Sequence, residues 1–364
     1  MDYDLIRRAT RSFKVGSVGI GSGYPISIQS MTNTDTHDKE ATYQQTKRLC
    51  DAGCDIVRLA LPDIKSAETI YYIKEKGISA PLVADIHFDF RIALAAIDAG
   101  VDKIRINPGN IGSREKTEAV VKACLEKKIP IRIGVNSGSV ESSVLEKHGG
   151  VVAEALVESA LSHLKILDEL AFRDVAISVK ASNVPTMLEA NRLLAKMTDC
   201  PIHLGVTEAG ARTRAVVKSS IGIGALLSEG IGDTVRVSLT DDPCEEISAA
   251  KEIISALEIG KTRGMDIVSC PTCGRTKISL ISMLKEFEQK AKDARLLDMD
   301  VKVALMGCAV NGPGEAREAD IGIAGGIGEG LLFKKGEKIR KIKEENLVDE
   351  LIRELKIMKD VKKQ

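Results

Sequence analysis

The sequence lacks several features that mark large classes of proteins. It has no tryptophan, and aromatic residues make up only 3% of its 364 positions, too few for the stacking platforms that bind single-stranded nucleic acid. Its 52 basic residues are balanced by 52 acidic ones, so the overall charge does not point to nucleic acid or another polyanion as a partner. Eight cysteines are too sparse for a disulfide scaffold.

The sequence also lacks the signals for export and membrane insertion. Residues 1–8 contain no apolar segment of the kind found in signal peptides, and no apolar run approaches the roughly 18 residues of a membrane-spanning helix. With 44% apolar residues, the chain can nevertheless bury a large core, which excludes a disordered protein. We therefore expect a cytoplasmic protein without membrane contact, whose cysteines are free thiols or metal ligands.

What the sequence does contain is an alternation of short apolar runs with longer segments of helical spacing. Eight runs have the character of buried strands: Pro25–Met31, Ile56–Ala60, Pro81–His87, Lys103–Asn107, Pro130–Asn136, Val175–Ala181, Ile202–Thr207 and Thr234–Thr240. The helical segments between them include Phe90–Ala99, Glu115–Lys127, Val151–Leu170 and Thr186–Met197. This alternation predicts an α/β fold, a (β/α)8 barrel of the TIM type over residues 1–260. A doubly wound sheet is the alternative, although it would more often have fewer strands.

The remaining residues predict a second, smaller domain. Helix Asp242–Leu257 would close the barrel, and residues 260–264 have the composition of a linker. Residues 265–364 then predict a small α+β domain with its own order of elements. That order is a strand, a helix, two further strands, a hairpin ending at Ile342 and a final helix, with the first helix and the two strands at Lys277–Ala294, Val301–Leu305 and Asp320–Ala324.

Polar and charged residues gather where the barrel strands end. In a barrel these ends converge on one mouth, where active sites are found. The candidate substrate-binding residues are Arg58, Asp85, His87, Arg105, Asn107, Arg132, Asn136, Lys180, Asn183, Thr207, Arg236 and Ser238. Buried cations are costly unless an anion pairs with them, and Arg forks suit phosphate oxygens. The set predicts a small diphosphate or bis-phosphate substrate, with internal pairing to Asp85 and Glu208 as the alternative.

Two residue types at these ends can move protons. Glu208 follows the seventh strand in surroundings rich in cations, so we predict that it is the catalytic general acid that protonates a leaving oxygen. His87 lies beside Asp85, which favours a role in the site. His203 comes early in its strand, and a core histidine is as good an interpretation as a functional one.

Three of the cysteines form a pattern with ligand spacing. Cys270 and Cys273 make a C-x-x-C motif, and Cys308 is followed seven residues later by Glu315 across a Gly-Pro-Gly turn. A redox dithiol would need a thioredoxin-like context that is missing here, and structural zinc would need four ligands. An iron–sulfur cluster with three thiolates and a different fourth ligand is chemically reasonable. The other five cysteines are interpreted as packing residues: Cys50, Cys54, Cys124, Cys200 and Cys244.

Together these residues closely resemble the family of bacterial 4-hydroxy-3-methylbut-2-enyl diphosphate synthases, along nearly the whole chain. The resemblance rests on seven segments: Ser30–Thr34, Val83–Phe88, Arg105–Asn110, Arg132–Asn136, Thr207–Gly210, Cys270–Arg275 and Gly307–Glu315. The last segment is highly specific. The plant and chlamydial members carry a large extra domain for which this chain has no room, so it resembles the short, two-domain form.

The resemblance implies a barrel joined to a ferredoxin/sulfite-reductase-like domain that holds one [4Fe–4S] cluster per subunit. Its ligands would be Cys270, Cys273, Cys308 and Glu315. The implied reaction is the two-electron reductive ring opening and dehydration of 2-C-methyl-D-erythritol 2,4-cyclodiphosphate in isoprenoid biosynthesis. Electrons would arrive one at a time from reduced flavodoxin or ferredoxin. Family members are homodimers in which the cluster domain of one subunit caps the barrel of the other.

Two other functions compete with this interpretation. A barrel lyase or aldolase would use Lys180 as a Schiff-base nucleophile and the cysteines for structural zinc. A non-enzymatic cluster protein would leave the strand-end cations without a purpose. The segment Phe333–Gln364 is rich in lysine and arginine, and an acidic electron donor could dock there, although a solvated helix face explains such a charge run about as well.

Overall fold

The computed structural model describes residues 7–259, 264–308 and 317–361. The chain divides into two compact units, Met1–Leu257 and Glu258–Gln364. Glu315 and most of the expected linker at 260–264 lie outside the described residues.

The first unit is a ring of eight parallel strands, as predicted. They are β3 to β10: Ser27–Met31, Ile56–Ala60, Leu82–Asp85, Lys103–Ile106, Ile131–Asn136, Val175–Lys180, His203–Leu204 and Thr234–Val235. Each strand pairs with its sequence neighbours except β8 and β9, which do not pair with each other, and β10 also pairs with β3. A single parallel bridge joins Ile177 of β8 to Ile202, the residue before β9, so the ring is nearly closed.

Nine helices cover the outside of the ring in the described part of this unit. They are α1 to α9: Lys39–Asp51, Ala67–Glu75, Phe90–Asp98, Arg114–Lys127, Ser142–His148, Ala153–Glu169, Val184–Met197, Arg212–Ser228 and Pro243–Ala256. The predicted segment 151–170 is α6, with the separate short helix α5 before it. Helix α9 starts where the sequence predicts, because the Asp242 carboxylate caps the Cys244 N–H at 2.9 Å and Pro243 occupies the first turn.

A short hairpin that the sequence analysis missed lies before the barrel. Strands β1 (Phe13–Val15) and β2 (Val18–Ile20) pair antiparallel. Their side chains pack against Ile56, Val83 and Ala176 near the N-terminal ends of the barrel strands. The hairpin therefore covers the end of the barrel opposite to the mouth. Its strands are only three residues long, too short for a visible alternation of apolar and polar residues.

In its described residues, the second unit is a five-stranded mixed sheet with two helices. Its elements are β11 (Met265–Ser269), α10 (Leu280–Asp293), β12 (Val301–Met306), β13 (Ile321–Gly325), β14 (Glu329–Lys334), β15 (Glu337–Lys343) and α11 (Leu347–Val361). The first three strands are parallel and the last two are antiparallel to their neighbours. Both helices pack on one sheet face, where Phe287, Leu305 and Leu351 are fully buried. Helix α10 begins three residues later than predicted, because the Lys277 N–H bonds to the Gly307 carbonyl at 2.9 Å.

None of the described helices is both long enough and apolar enough to cross a membrane.

Candidate active site

The interior of the barrel is polar where such barrels are ordinarily filled with branched apolar side chains. The strand registers determine which side chains point inward, and alternate strands contribute layers of four. One layer consists of Gln29, Val83, Arg132 and His203. The next layer toward the mouth consists of Arg58, Arg105, Ser178 and Arg236. Of these eight side chains, four are arginines, one is a histidine and one is a glutamine. The other two are Val83 and Ser178.

Positive charge dominates this interior. Six basic side chains enter it from five strands or strand ends: Arg58, Lys103, Arg105, Arg132, Lys180 and Arg236. In the described part of the chain, the carboxylates that pair with them are Asp85 on β5 and Glu246 on α9. Burial of unpaired cations is unfavourable, and these cations outnumber the two carboxylates that pair with them.

Asp85 lies at the centre of the first ion-pair group. Its Oδ1 is 3.2 Å from Arg105 Nη1, and its Oδ2 is 3.7 Å from Arg58 Nε. Burial alone would raise the pKa of Asp85, but Arg58 and Arg105 outweigh it and lower that pKa to about 2. The pKa of Arg58 is lowered to about 10 by burial. Asp85 is therefore an anion that holds two guanidinium groups in place. Internal pairing with Asp85 was the alternative that the sequence analysis gave to phosphate binding.

Arg236 has a carboxylate of its own, which the sequence analysis did not anticipate. Arg236 Nε and Nη2 donate to the two oxygens of Glu246, each at 3.1 Å. Glu246 is 4% exposed and also accepts hydrogen bonds from the Ser30 hydroxyl at 2.8 Å and the Leu239 N–H at 3.2 Å. Internal pairing is thus correct for Arg236, with Glu246 rather than Glu208 as the partner.

The remaining interior cations have no carboxylate partner at hydrogen-bond distance among the described residues. Nε and Nη1 of Arg132 are buried without a hydrogen-bond partner, as are the Gln29 amide and His203 Nε2. Burial and neighbouring positive charges lower the pKa of Lys103, Arg132 and Lys180. The interior of the barrel therefore contains several hydrogen-bonding atoms that have no partner within the described residues.

Two strand glycines make room for these long side chains. A Cβ atom on Gly134 would lie 2.3 Å from Arg105 Nε, and one on Gly205 would lie 2.5 Å from Lys180 Nζ. Arg105 also donates to the Gly134 carbonyl. Glycine inside a strand commonly marks a close approach, and here it allows cations to lie flat across β7 and β9.

The polar residues at the rim take structural roles as well. Asn107 Oδ1 accepts the Gly134 N–H at 3.0 Å, and Asn136 caps the short 3₁₀ turn that follows β7. Asn183 caps α7 through the Thr186 N–H at 3.0 Å. Thr207 and Ser238 lie half-buried at the rim. The structure therefore brings the predicted residues to one mouth, but it commits part of the hydrogen-bonding capacity of these three asparagines.

His87 and Glu208 are the exposed members of the set. The His87 side chain is 56% exposed, and its Nδ1 is 3.1 Å from Arg105 Nη1. Glu208 is exposed and has a φ of 51°, a left-handed conformation that costs energy for residues other than glycine. Such strain tends to occur at functional sites. By contrast, His203 is fully buried and its Nδ1 lies 2.7 Å from the Thr234 hydroxyl, so it belongs to the interior layer.

The second unit places its cysteines at one end of its sheet. Cys270 directly follows β11 and Cys308 follows β12, and these strands are parallel neighbours. The Gly307 N–H donates to Cys270 Sγ at 3.2 Å, and the Cys273 N–H donates to the Thr276 hydroxyl at 3.1 Å. All three thiols are free, and Cys273 is exposed.

The described residues contain no group of three His, Cys, Asp or Glu side chains arranged to hold a metal ion. The fourth expected ligand, Glu315, lies outside the described residues. The donor chemistry nevertheless fits an iron–sulfur cluster, because Cys270 and Cys308 follow neighbouring parallel strands and the Gly307 N–H donates to Cys270 Sγ, as in clusters of this type. The five other cysteines lie in the barrel unit, where Cys54, Cys124 and Cys200 are buried, as expected for packing residues.

Sequence analysis missed three interior residues, and two of them had a detectable signal. Lys103 alternates with Arg105 and Asn107 on one strand, which places all three on one face. Glu246 precedes Ala250 and Ile253 by four and seven residues, so the three share one helix face. A charged residue on an otherwise apolar helix face was a signal for a buried carboxylate. Gln29 had no such signal, because it lies within a mostly apolar run.

Comparison with known protein families gives two matches that together span most of the chain. Residues 10–251 match the GcpE TIM-barrel domain, and residues 266–357 match the GcpE protein C-terminal domain. The two matched segments correspond to the two compact units.

Curated relatives cover nearly the full length. A protein of Clostridium perfringens is 60% identical over 347 residues, which is 95% of this chain and 98% of the relative. One of Clostridium acetobutylicum is 58% identical over 349 residues, 96% of this chain and 99% of the relative. Both are named 4-hydroxy-3-methylbut-2-en-1-yl diphosphate synthase (flavodoxin).

Two solved structures match about two thirds of this chain at low sequence identity. A type I 3-dehydroquinate dehydratase from Clostridium difficile has a TM-score of 0.49 at 18% identity, covering 68% of this chain and 97% of that one. The Yersinia pestis dihydropteroate synthase has a TM-score of 0.48 at 10% identity, covering 69% and 100%. At these scores neither structure bears on what this chain does.

Proposed function

The chain belongs to the GcpE family, and we propose that it is a 4-hydroxy-3-methylbut-2-enyl diphosphate synthase, an oxidoreductase of isoprenoid biosynthesis. Its substrate would be 2-C-methyl-D-erythritol 2,4-cyclodiphosphate. The reaction consumes two electrons and two protons, opens the ring, releases one water and leaves a linear allylic diphosphate. The observation that carries the proposal is the excess of inward-facing cations over carboxylates in the barrel.

The barrel residues would bind and orient the diphosphate. Arg132 offers two unpartnered donor atoms, Nε and Nη1, and Lys180 adds a point charge above Gly205. Arg58 and Arg105 are held by Asp85 and so need little reordering when the anion arrives. Preorganised donors of this kind act at full strength at the moment of reaction. The rim asparagines and Ser238 would add neutral donors.

Glu208 would protonate the leaving hydroxyl oxygen. It stands on the loop after β9, at the mouth, in a left-handed backbone conformation. A carboxylic acid placed over a cationic site is suited to give a proton to an oxygen that departs as water. His87 stands on the same rim beside Arg105, where it would contact the outer phosphate.

Cys270, Cys273, Cys308 and Glu315 would hold the cluster. When bound, a [4Fe–4S] cluster supplies electrons one at a time and a Lewis-acidic iron. Glu315 would be the weakest of these four ligands, because a carboxylate binds iron less tightly than a thiolate does. The parallel pairing of β11 and β12 supports this assignment, because it brings the segments after both strands to the same edge.

The electron donor would be reduced flavodoxin, the carrier in the names of the relatives. We propose in addition that the enzyme is a homodimer in which the cluster domain of one copy covers the barrel mouth of the other. A cover of this kind would keep water away from Glu208 and His87, which are exposed within a single chain.

Turnover by the anaerobically purified chain tests the proposal. We expect the protein to be brown and to convert the cyclic diphosphate when reduced flavodoxin is supplied. Arg132→Met should abolish substrate binding while leaving the visible spectrum unchanged. Arg114→Met, on the outer helix α4, is the matched control and should behave like the wild type.

The competing aldolase would give a different result. A colourless protein that borohydride traps through Lys180 in the presence of a phosphosugar would overturn the proposal. A brown protein that binds no diphosphate would leave a cluster protein without this activity, which also contradicts it.

A further inference from the structure

We infer that Glu246 is a positioning residue that fixes the Arg236 guanidinium in the orientation needed to bind the substrate diphosphate. The inference rests on the proposed function, and it adds a helix residue to a site otherwise built from strand ends. It comes from the contacts of a buried carboxylate whose partners are Ser30 on β3 and Arg236 and Leu239 in the segment after β10.

The geometry of the pair fixes the guanidinium plane. Arg236 Nε and Nη2 each donate to one oxygen of Glu246 at 3.1 Å, which is the bidentate arrangement of a guanidinium with a carboxylate. A single-point contact would let the guanidinium rotate about the shared bond. The two-point contact leaves Nη1 as the nitrogen that faces away from the carboxylate.

Nη1 of Arg236 then points into the barrel interior. It lies 3.8 Å from Met31 Sδ, and the same sulfur lies 2.9 Å from Arg58 Nη2. Two guanidinium groups therefore meet at one thioether, with Arg58 fixed by Asp85 and Arg236 fixed by Glu246. Burial, followed by the positive charges of Arg132 and Arg236, lowers the pKa of the Lys180 amine, so Arg236 lies close enough to act on Lys180 as well. An anion between these groups would meet donors from both sides.

Glu246 is itself held by groups other than Arg236. Its Oε2 accepts the Ser30 hydroxyl of β3 at 2.8 Å, and its Oε1 accepts the Leu239 N–H at 3.2 Å. The Asp242 cap and Pro243 set the start of the helix that carries it. These contacts leave the carboxylate little freedom, and a rigid carboxylate can transmit its orientation to the arginine.

The test compares Glu246→Gln with Glu245→Gln. Glu245 lies next to it in the first turn of α9 and pairs with the exposed Arg212. Glu245→Gln is therefore the same substitution in the same helix turn, but it does not disturb the contact with Arg236. An amide cannot accept from both guanidinium nitrogens. We expect Glu246→Gln to raise the Kd for inorganic pyrophosphate and the KM for the cyclic diphosphate by about tenfold or more, with kcat changed less. Glu245→Gln should match the wild type in both.

A double-mutant cycle with Arg236→Lys separates positioning from general damage. Lysine keeps the charge but loses the fork. If Glu246 acts through Arg236, the double variant should bind pyrophosphate no more weakly than Arg236→Lys alone. Additive losses would overturn the inference, and so would a wild-type Kd in Glu246→Gln. Should Glu246→Gln not fold, Glu246→Asp keeps the charge and shortens its reach, and it should weaken pyrophosphate binding in the same way; an unchanged Kd would again overturn the inference.

Pyrophosphate also separates this inference from the proposed reaction. A wild type that binds pyrophosphate but does not turn over the cyclic diphosphate would refute the proposed function alone, and the Glu246 comparison would still decide the positioning role. A wild type that binds no pyrophosphate would refute the inference, because Arg236 would then have no anion to bind.

Discussion

Lys103 lies inside the barrel with 1% of its surface exposed. Burial, together with the positive charges of Arg132 and Arg58, holds its pKa well below the usual 10.5. At a pH between the folded-state pKa and 10.5, the unfolded chain binds a proton at this lysine that the folded chain does not. The free energy of unfolding should therefore rise with pH through this window.

Replacement of this lysine should stabilise the protein at neutral pH. We expect Lys103→Met to raise the free energy of unfolding at pH 7 by about 1–4 kcal/mol, the range seen when apolar side chains replace buried ionic groups. The gain should shrink toward pH 10, as measured by urea denaturation across that range. Lys122→Met, on the exposed face of α4, is the control and should leave the pH dependence unchanged. If the free energy of unfolding depended on pH equally in Lys103→Met and in the wild type, Lys103 would not be the source of this pH dependence.

Glu208 offers a second test at a single residue. If it delivers the proton to the leaving oxygen, Glu208→Gln should lower kcat by about 10²–10⁴-fold, the usual contribution of a general acid. The Kd for the cyclic diphosphate should stay near the wild-type value, because the diphosphate is bound by other groups. Glu189→Gln, exposed on α7, is the matched control. A normal kcat in Glu208→Gln would remove this residue from the mechanism.

At the scale of elements, Asn183 illustrates how one residue can satisfy two interpretations. The sequence predicts a substrate contact, and the structure shows its side chain capping α7 through Thr186. Asn183→Ala should cost about 1 kcal/mol of stability through loss of the cap. Asn183→Asp should retain the cap, since aspartate is an equally good capping residue.

Binding measurements on the two Asn183 variants then separate the roles. If the amide contacts substrate, both variants should raise KM. If the cap is its only role, Asn183→Asp should have a wild-type KM and a wild-type melting temperature. Either result can be read from steady-state kinetics combined with thermal denaturation.

Helix α9 shows why element-level patterns were informative but incomplete. Its start followed from Asp242 and Pro243, whose preferences act locally. Its role did not follow, because the contact of Glu246 with Arg236 joins the helix to the neighbouring strand β10 and, through Ser30, to β3. Likewise, the two-residue strands β9 and β10 were predicted as longer runs, since apolar sequence continues beyond the residues that form regular pairing.

At the scale of the whole molecule, the anion site and the cysteine set belong to different compact units. Loss of the cluster should therefore leave pyrophosphate binding intact. We expect Cys308→Ser to lose the absorption near roughly 400–420 nm that is typical of such clusters and to lose turnover, while the Kd for pyrophosphate stays within about twofold. Cys50→Ser, a half-buried cysteine of α1, should keep the absorption. An intact spectrum in Cys308→Ser would exclude this cysteine as a ligand.

The sequence by itself determined the barrel, the second α+β unit and most members of the candidate site. Strand periodicity, helix spacing and the convergence of strand ends are local or topological rules, so Arg58, Arg105 and Arg132 could be assigned to one mouth before any coordinates. The family followed from motifs that are contiguous in the chain, such as Cys270–Arg275 and Gly307–Glu315.

Only the tertiary structure decided which charges neutralise which. Asp85 was available to several arginines, and its distances show that it serves Arg58 and Arg105. Arg236 pairs with Glu246 instead. The side chains of Arg132, Gln29 and His203, which have hydrogen-bonding atoms without a partner, lie in one layer of the barrel interior. The physical reason is that Coulomb energy and desolvation depend on distances of a few ångströms between side chains far apart in sequence. The spacing of residues along the chain determines which face of a helix or strand a side chain occupies and which end of a strand it is near. It does not determine the distances between charged side chains.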